Sequence, residues 1–382
     1  MPVWGTASEG EKVTVTFAGQ KLEAVTKAGR WMIWLEPMRA NATPQTLTIS
    51  GANTRTFTNV LIGEVWLCSG QSNMERKMPQ LVSRPPQPTD EWPKEAALAN
   101  YPLIRHLTVP QTNSTKPFST ITAPWMICSP ATVSNFTAVG YFFGRDLHKN
   151  LNVPIGLINS AYGGSVAESW TRADALRANP QLAPILADNE RAIQSYSQRL
   201  AKYQADEPQL QTRYVTALAA AKAADTPRPN PPHAPPDPLS FVNSPSALYN
   251  AMLHPLLPYA IRGVIWYQGE SSRLDAFQYR TLFPAMVADW RSLWGEGDFP
   301  FLYVQVAPCK LIGPEIRESQ FLSLKKITNK PPAFPCAAPG TTKQPCSNPG
   351  FMRSSVMARN QISTPSARIL KTREVLVGAK RR

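Results

Sequence analysis

Hydrophobic and polar positions alternate with a period of two along residues 1–60. Val13, Val15 and Phe17 are separated by polar residues, the mark of a strand with one buried face. Trp31-Met32-Ile33-Trp34-Leu35, Thr46-Leu47-Thr48-Ile49 and Thr56-Phe57-Thr58 read as further short strands, divided by turn residues at close spacing. No helical period occurs there, so residues 1–60 predict a small sandwich-like β module. Met1-Pro2-Val3-Trp4-Gly5 already reads as strand interior, so the module is expected to be truncated at its start and no signal peptide is visible.

From residue 60 the pattern changes. Leu61-Ile62-Gly63-Glu64-Val65-Trp66-Leu67-Cys68 is a mostly apolar run. Val153-Pro154-Ile155-Gly156-Leu157-Ile158-Asn159-Ser160, Ile261-Arg262-Gly263-Val264-Ile265-Trp266-Tyr267 and Phe301-Leu302-Tyr303-Val304-Gln305-Val306 are three more. Such runs fit strands covered on both faces in a parallel sheet. Between them Phe136, Val139, Phe143 and Leu147 recur at helical spacing. Residues 61–329 therefore predict an α/β domain with helices on both faces of a parallel sheet. Residues 174–240 read as a helical insertion. Ile193, Tyr196, Leu200 and Tyr203 form one amphipathic stripe and Leu210, Tyr214 and Leu218 another, which suggests two antiparallel helices. Seven prolines between Pro227 and Pro238 close the insertion as an extended connector.

Composition narrows the possibilities. Hydrophobic residues make up 43% of the 382 residues and charged residues 17%, enough to bury a core and too apolar for wholesale disorder. No window of 18 apolar residues offers a membrane span. The net charge of +14 suggests a nucleic-acid partner until it is located. Residues 330–382 hold ten Lys/Arg against one acid, Glu374, and supply +9 of it. That tail has no Trp or Tyr and no periodicity, so no specific nucleic-acid partner is expected. The five cysteines (Cys68, Cys128, Cys309, Cys336 and Cys346) match neither a zinc site nor a disulfide framework, and the four histidines form no helical metal pair.

In an open α/β sheet, ligands bind beyond the carboxyl ends of the strands. Three of the apolar runs end in small, polar, glycine-bearing loops: Ser69-Gly70-Gln71-Ser72-Asn73-Met74-Glu75, Ala161-Tyr162-Gly163-Gly164-Ser165 and Gln268-Gly269-Glu270-Ser271-Ser272. A serine on such a turn becomes a nucleophile when a base takes its proton. Glycine N–H groups and an amide side chain can hold the oxyanion of a tetrahedral intermediate. The combination points to acyl transfer. Met74 stands where the Gly-x-Ser-x-Gly elbow needs its last glycine, which argues against the ordinary α/β-hydrolase pattern.

The run Gly63-Glu64-Val65-Trp66-Leu67-Cys68-Ser69-Gly70-Gln71-Ser72-Asn73-Met74 resembles the first block of the sialate O-acetylesterase family, a carbohydrate-esterase branch of the SGNH hydrolases. Trp266-Tyr267-Gln268-Gly269-Glu270-Ser271 is similar to a second signature of that family, and Tyr162-Gly163-Gly164-Ser165 to its intervening glycine block. The likeness covers residues 3–329. It implies a flavodoxin-like SGNH fold, no metal or other cofactor, acetylated carbohydrate as substrate, and a secreted or periplasmic location. By that resemblance Ser72 is the nucleophile. The N–H of Ser72, the glycine loop at Gly163 and Gly164, and the Gln268 side chain would form the oxyanion hole. Asn73 and Glu270 would orient the loop or contact sugar hydroxyls.

The family carries its catalytic histidine near the C-terminus, usually before a proline, with an acid just upstream. After Asp298 this chain has neither aspartate nor histidine. Loss of the histidine from a triad costs on the order of 10⁶ in kcat, so the chain as written is expected to lack its general base. His254, in the apolar run before the third strand, reads as a packing residue. Two accounts of residues 330–382 stand: a member that has lost its base and keeps a sugar-binding cleft, or a shifted reading frame. Composition favours the second. Suitable synonymous codons across Ile362-Ser363-Thr364-Pro365-Ser366-Ala367-Arg368 read Ile-His-Pro-Leu-Arg-Lys in another frame. The reading from a different class is a non-catalytic carbohydrate-binding protein on the same fold.

Overall fold

A computed structural model describes residues 1–81, 92–308, 312–327 and 329, and the backbone of Arg368–Leu370. Five strands come first: β1 (Pro2–Thr6), β2 (Lys12–Phe17), β3 (Gln20–Val25), β4 (Arg30–Trp34) and β5 (Asn41–Ser50). β1 and β4 pair as an antiparallel ribbon, while β3, β2 and β5 form an antiparallel sheet in that order. The period-two positions Val13, Val15 and Phe17 pack with Ile33, Leu35, Leu47 and Ile49 in one apolar cluster.

The next strand, β6 (Thr54–Gly70), is 17 residues long and belongs to both halves of the structure. Its first part pairs antiparallel with β5, and its second part pairs in parallel with later strands. From 60 to 70 every residue is buried. The boundary expected between residues 60 and 61 falls inside this strand.

Beyond β6 lie β7 (Tyr101–Thr108), β8 (Met126–Cys128), β9 (Ile155–Ala161), β10 (Gly263–Tyr267) and β11 (Phe301–Tyr303). The order across the sheet is β8-β7-β9-β6-β10-β11, parallel throughout except for β8. Arg368–Leu370 runs antiparallel to β6 at Leu61–Gly63, and the rest of the expected tail lies outside the described residues. The result is a mixed α/β fold around a mostly parallel sheet.

The helices are α1 (Ser72–Glu75), α2 (Trp92–Leu98), α3 (Pro130–Val133), α4 (Ala138–Leu151), α5 (Ala173–Ala178), α6 (Ala183–Gln194), α7 (Tyr196–Ala223), α8 (Ala276–Trp294) and α9 (Pro314–Ser323). α4 covers one face of the sheet, where Phe136, Tyr141 and Leu147 meet Trp66, Cys68 and Leu157. α8 covers the other, where Tyr279, Phe283, Met286 and Trp290 recur at helical spacing and pack on Trp266 and Phe301. Among the described residues no helix is long and apolar enough to cross a membrane.

The insertion differs from expectation in one respect. Most of both stripes, from Tyr196 to Leu218, lies on the single helix α7, which runs through Pro208. Pro208 lacks an N–H donor, but the helix continues past it and Thr212 Oγ1 donates to the Pro208 carbonyl at 2.9 Å.

A buried ion pair joins β6 to the start of β10. Arg262 Nε lies 3.4 Å from Glu64 Oε1, with side chains 7% and 1% exposed, and Trp66 Nε1 donates to Glu64 Oε2 at 3.1 Å. Removing one partner leaves a buried charge without its counter-ion. Arg262→Met should therefore lower stability by about 3 kcal/mol in urea unfolding, while Glu64→Leu/Arg262→Met should recover much of that loss. An Arg262→Met midpoint equal to that of the parent chain would contradict this role for the pair.

Candidate active site

β6 ends at Gly70, wedged between its neighbours. Its φ is +138°, and a Cβ there would lie 2.2 Å from the Tyr267 carbonyl oxygen. Only glycine permits that approach. Gln71 N–H donates to Tyr267 O at 2.9 Å, and Tyr162 N–H donates to Gly70 O at 3.1 Å. The loops after β6, β9 and β10 thus start from one place. The buried Gln71 side chain then holds the third loop, its Oε1 accepting from Gly269 N–H and Ser271 N–H, both at 3.2 Å.

Ser72 opens α1 and is exposed. α1 is pinned by the start of α4: Ala138 N–H donates to Arg76 O at 2.9 Å, and Thr137 Oγ1 donates to Met74 O. Gly163 lies against this turn, since a Cβ built on it would be 3.7 Å from Ser72 Cβ. The Gly163 N–H donates to the Glu75 carboxylate, at Oε2. Gly164 has φ +75° and accepts from Asn243 Nδ2 at 3.1 Å. Asn73 Nδ2 donates to Glu270 Oε1 at 2.7 Å, and Glu270 Oε2 is buried without a partner.

Gln268, expected in the oxyanion hole, begins the loop after β10. It is fully buried, and its Nε2 donates to Ser165 O at 3.1 Å and Ser272 Oγ at 2.9 Å. An amide nitrogen has two hydrogens to give, so the side chain ties the loop after β9 to the loop after β10. The structure therefore gathers Ser72, Asn73, Gly163 and Glu270 at one sheet edge, with Gln268 beneath. Sequence reasoning passed over Glu75. The available signal was its spacing, three residues after Ser72, which puts both on one face of a helical turn.

Among the described residues no histidine is hydrogen-bonded to Ser72. His254 Nδ1 lies 2.8 Å from Phe118 O and its ring packs edge-on against Tyr249. His148 Nδ1 lies 2.8 Å from Val153 O. His106 is buried against Phe136, and burial pushes its imidazole down to about 4. The C-terminal block expected to supply a base lies outside the described residues. Among the described residues no three His, Cys, Asp or Glu side chains converge as a metal site would require.

No protein-family model matches the sequence. A sialate O-acetylesterase from Rattus norvegicus is 30% identical over 361 residues, covering 86% of this chain. The Homo sapiens sialate O-acetylesterase is 29% identical over 332 residues, 80% of the chain. A solved carbohydrate acetylesterase from Xanthomonas citri superposes with a TM-score of 0.63 at 30% identity, over 87% of this chain and 64% of that one. The chain is related to the sialate O-acetylesterases. It spans about 61% of the length of the rat relative and 53% of the human one.

In this sialate O-acetylesterase relative, one acid beside the three loops is perturbed. Glu168 sits in the 3₁₀ turn Ala167–Trp170 that follows the glycine loop, and Ala167 N–H reaches Ser272 Oγ at 3.3 Å. Burial pushes the Glu168 carboxyl up to about 7, and the nearby Asp275 carboxylate adds to the effect. Between about pH 4.5 and 7 the folded state then binds more protons at Glu168 than the unfolded chain does. Stability from this group accordingly falls as pH rises through that window. Glu168→Gln should flatten the decline and be more stable at pH 8 by on the order of 1 kcal/mol. Equal pH slopes for Glu168→Gln and the parent chain in thermal melts would count against a raised Glu168.

Proposed function

We propose that this chain carries the acyl-transfer site of a carbohydrate O-acetylesterase of the SGNH type, with Ser72 as nucleophile. The observation that supports it most is the Ser72–Gly163 pair: a serine at the carboxyl end of a central parallel strand, beside a glycine N–H that already holds an anionic oxygen. In this reading Ser72 Oγ adds to the acetyl carbonyl carbon as its proton passes to a base. The carbonyl oxygen becomes an oxyanion held by the N–H groups of Ser72 and Gly163. Collapse expels the sugar hydroxyl, and water then cleaves the acetyl-serine to acetate and free Ser72. Gln268 joins the oxyanion hole only by releasing Ser165 or Ser272. Asn73 and Glu270, bonded to each other at the cleft, are placed to meet sugar hydroxyls.

Sheet topology supports the same reading. The chain passes from β6 to β7 and β9 on one side, then crosses to β10 and β11 on the other. Such a reversal leaves a crevice beyond the strand ends, where open α/β sheets bind ligands. The second reading, a sugar-binding protein without turnover, is favoured by one observation: among the described residues Ser72 has no histidine hydrogen-bonded to it.

Hydrolysis of 4-nitrophenyl acetate and of an O-acetylated sugar separates the two. The chain as given should run near background. A chain whose frame supplies Ile-His-Pro after residue 361 should be faster by several orders of magnitude, on the order of 10⁴–10⁶ in kcat, and Ser72→Ala should remove the gain. A restored chain indifferent to Ser72→Ala would end the esterase reading. Efficient turnover by the unrestored chain, abolished by His254→Ala, would instead place the base at His254.

A further inference from the structure

The Gly163 N–H is engaged before any substrate arrives. Glu75 reaches it from the same helical turn that carries Ser72, and three distances locate the carboxylate. A Cβ on Gly163 would stand 2.8 Å from Glu75 Oε2, 3.8 Å from Glu75 Cδ and 3.7 Å from Ser72 Cβ. Nucleophile, glycine donor and carboxylate therefore meet at one point. The meeting is local in origin. Residues i and i+3 share a helix face, and the turn is fixed from below by Thr137 and Ala138.

We propose that Glu75 is a resident stand-in for the reaction's oxyanion: its carboxylate occupies the Gly163 donor in the free protein and withdraws when an acetyl carbonyl is held there. This deepens the esterase reading above and rests on it. A carboxylate oxygen and a tetrahedral oxyanion ask the same of a donor, a short charge-assisted N–H bond. The acetate released at the end of the reaction asks for it as well. Glu75 has three rotatable side-chain bonds and is only half-buried, so water can receive it when it leaves the glycine.

Two consequences follow for the site. An acetyl carbonyl exchanges one acceptor for another at Gly163, so the ground-state ester gains little there. A full oxyanion competes better, and the donor is spent mainly on the transition state. Acetate, once formed, meets a carboxylate that returns to the same N–H, which favours its release. Glu75 thereby acts on binding and release and takes no covalent part.

The test uses the full chain labelled with ¹⁵N, reading the Gly163 amide proton. In the parent chain it should lie downfield, as an N–H bound to a carboxylate does. Glu75→Ala should move it upfield. Sodium acetate should then return it downfield and bind about tenfold more tightly than to the parent chain, the effect of one charge-assisted hydrogen bond no longer contested. Glu75→Gln keeps an uncharged acceptor of the same shape. It should fall between the two and guards against a Glu75→Ala chain that does not fold. Acetate that shifts Gly163 equally in parent and variants would overturn the proposal. So would a Gly163 amide that moves upfield in Glu75→Ala but ignores acetate, because Glu75 would then be a simple clamp on the loop. The esterase reading fails separately, through loss of Ser72 dependence in the frame-restored chain, and leaves the acetate titration intact as its own result.

Discussion

Burial of β6 on both faces is the constraint on which the rest of the site depends. Eleven consecutive residues, from 60 to 70, are buried. Their backbone groups need partners on both edges, because an unpaired buried N–H or C=O costs about as much as a lost hydrogen bond. β5 supplies partners at the start of this run, and β9 from Glu64 and β10 from Trp66 supply them in parallel register up to Gly70 itself, opposite Ala161 and Tyr267. Parallel strands in register end at one level, so their loops leave the sheet together. The three polar segments converge because β9 and β10 flank β6 and end level with it. Gly70 then turns the chain where a side chain would strike the next strand.

Beneath the surface, neutral amides hold the loops in place. Gln71 receives two N–H groups from the loop after β10, Gln268 donates to the loop after β9, and Gln320 of α9 donates to Gln268 O at 2.9 Å while accepting from Val306 N–H at 2.9 Å. An amide both donates and accepts, so it can bridge backbone groups without the desolvation cost of a buried charge. Carboxylates appear one layer further out, at Glu75 and Glu270, where the cleft is half open. The site is thus a neutral floor under an acidic rim. One acceptor is left over in that floor, Gln268 Oε1, which is buried without a partner.

The sheet was legible because its strands are apolar on both faces, and no amphipathic helix produces such runs. β7 escaped for the opposite reason. Arg105 and His106 interrupt its apolar pattern, yet both are buried, Arg105 bonded to Asn59 Oδ1 at 3.1 Å and His106 packed at a tilt against Phe136. Their cost shows in their titration: burial holds Arg105 down to about 10 and His106 down to about 4. In the insertion the two stripes suggest two helices, and α7 carries most of both because its exposed backbone continues through Pro208. At the site the residue types were readable and their partners were not. Gln268 reads in sequence as a candidate oxyanion donor, and a sequence does not show the acceptors, Ser165 O and Ser272 Oγ, that its amide meets. The Glu75 contact with Gly163 exists only once the glycine loop folds back onto α1, so the sequence does not single it out.

The same network forms a scaffold that does not depend on the base proposed for Ser72. The bonds that place Ser72, Gly163 and the Gln268 loop are made by residues before 330, and Asn329 ties the segment after α9 to the sheet by accepting from Phe301 N–H at 2.9 Å and Arg291 at 3.2 Å. None of them calls on a histidine. A side chain that only removes a proton from Ser72 contributes little to burying β6 or satisfying the loops, and the loops contribute little to basicity. In the esterase reading proposed above, loss of the base would therefore leave folding energetics largely untouched while removing most of the rate, because a serine hydroxyl at neutral pH is a weak nucleophile without one. The sugar contacts proposed for Asn73 and Glu270 would depend on the scaffold alone. In that reading binding and turnover are separable quantities, and stability reports on the first without constraining the second.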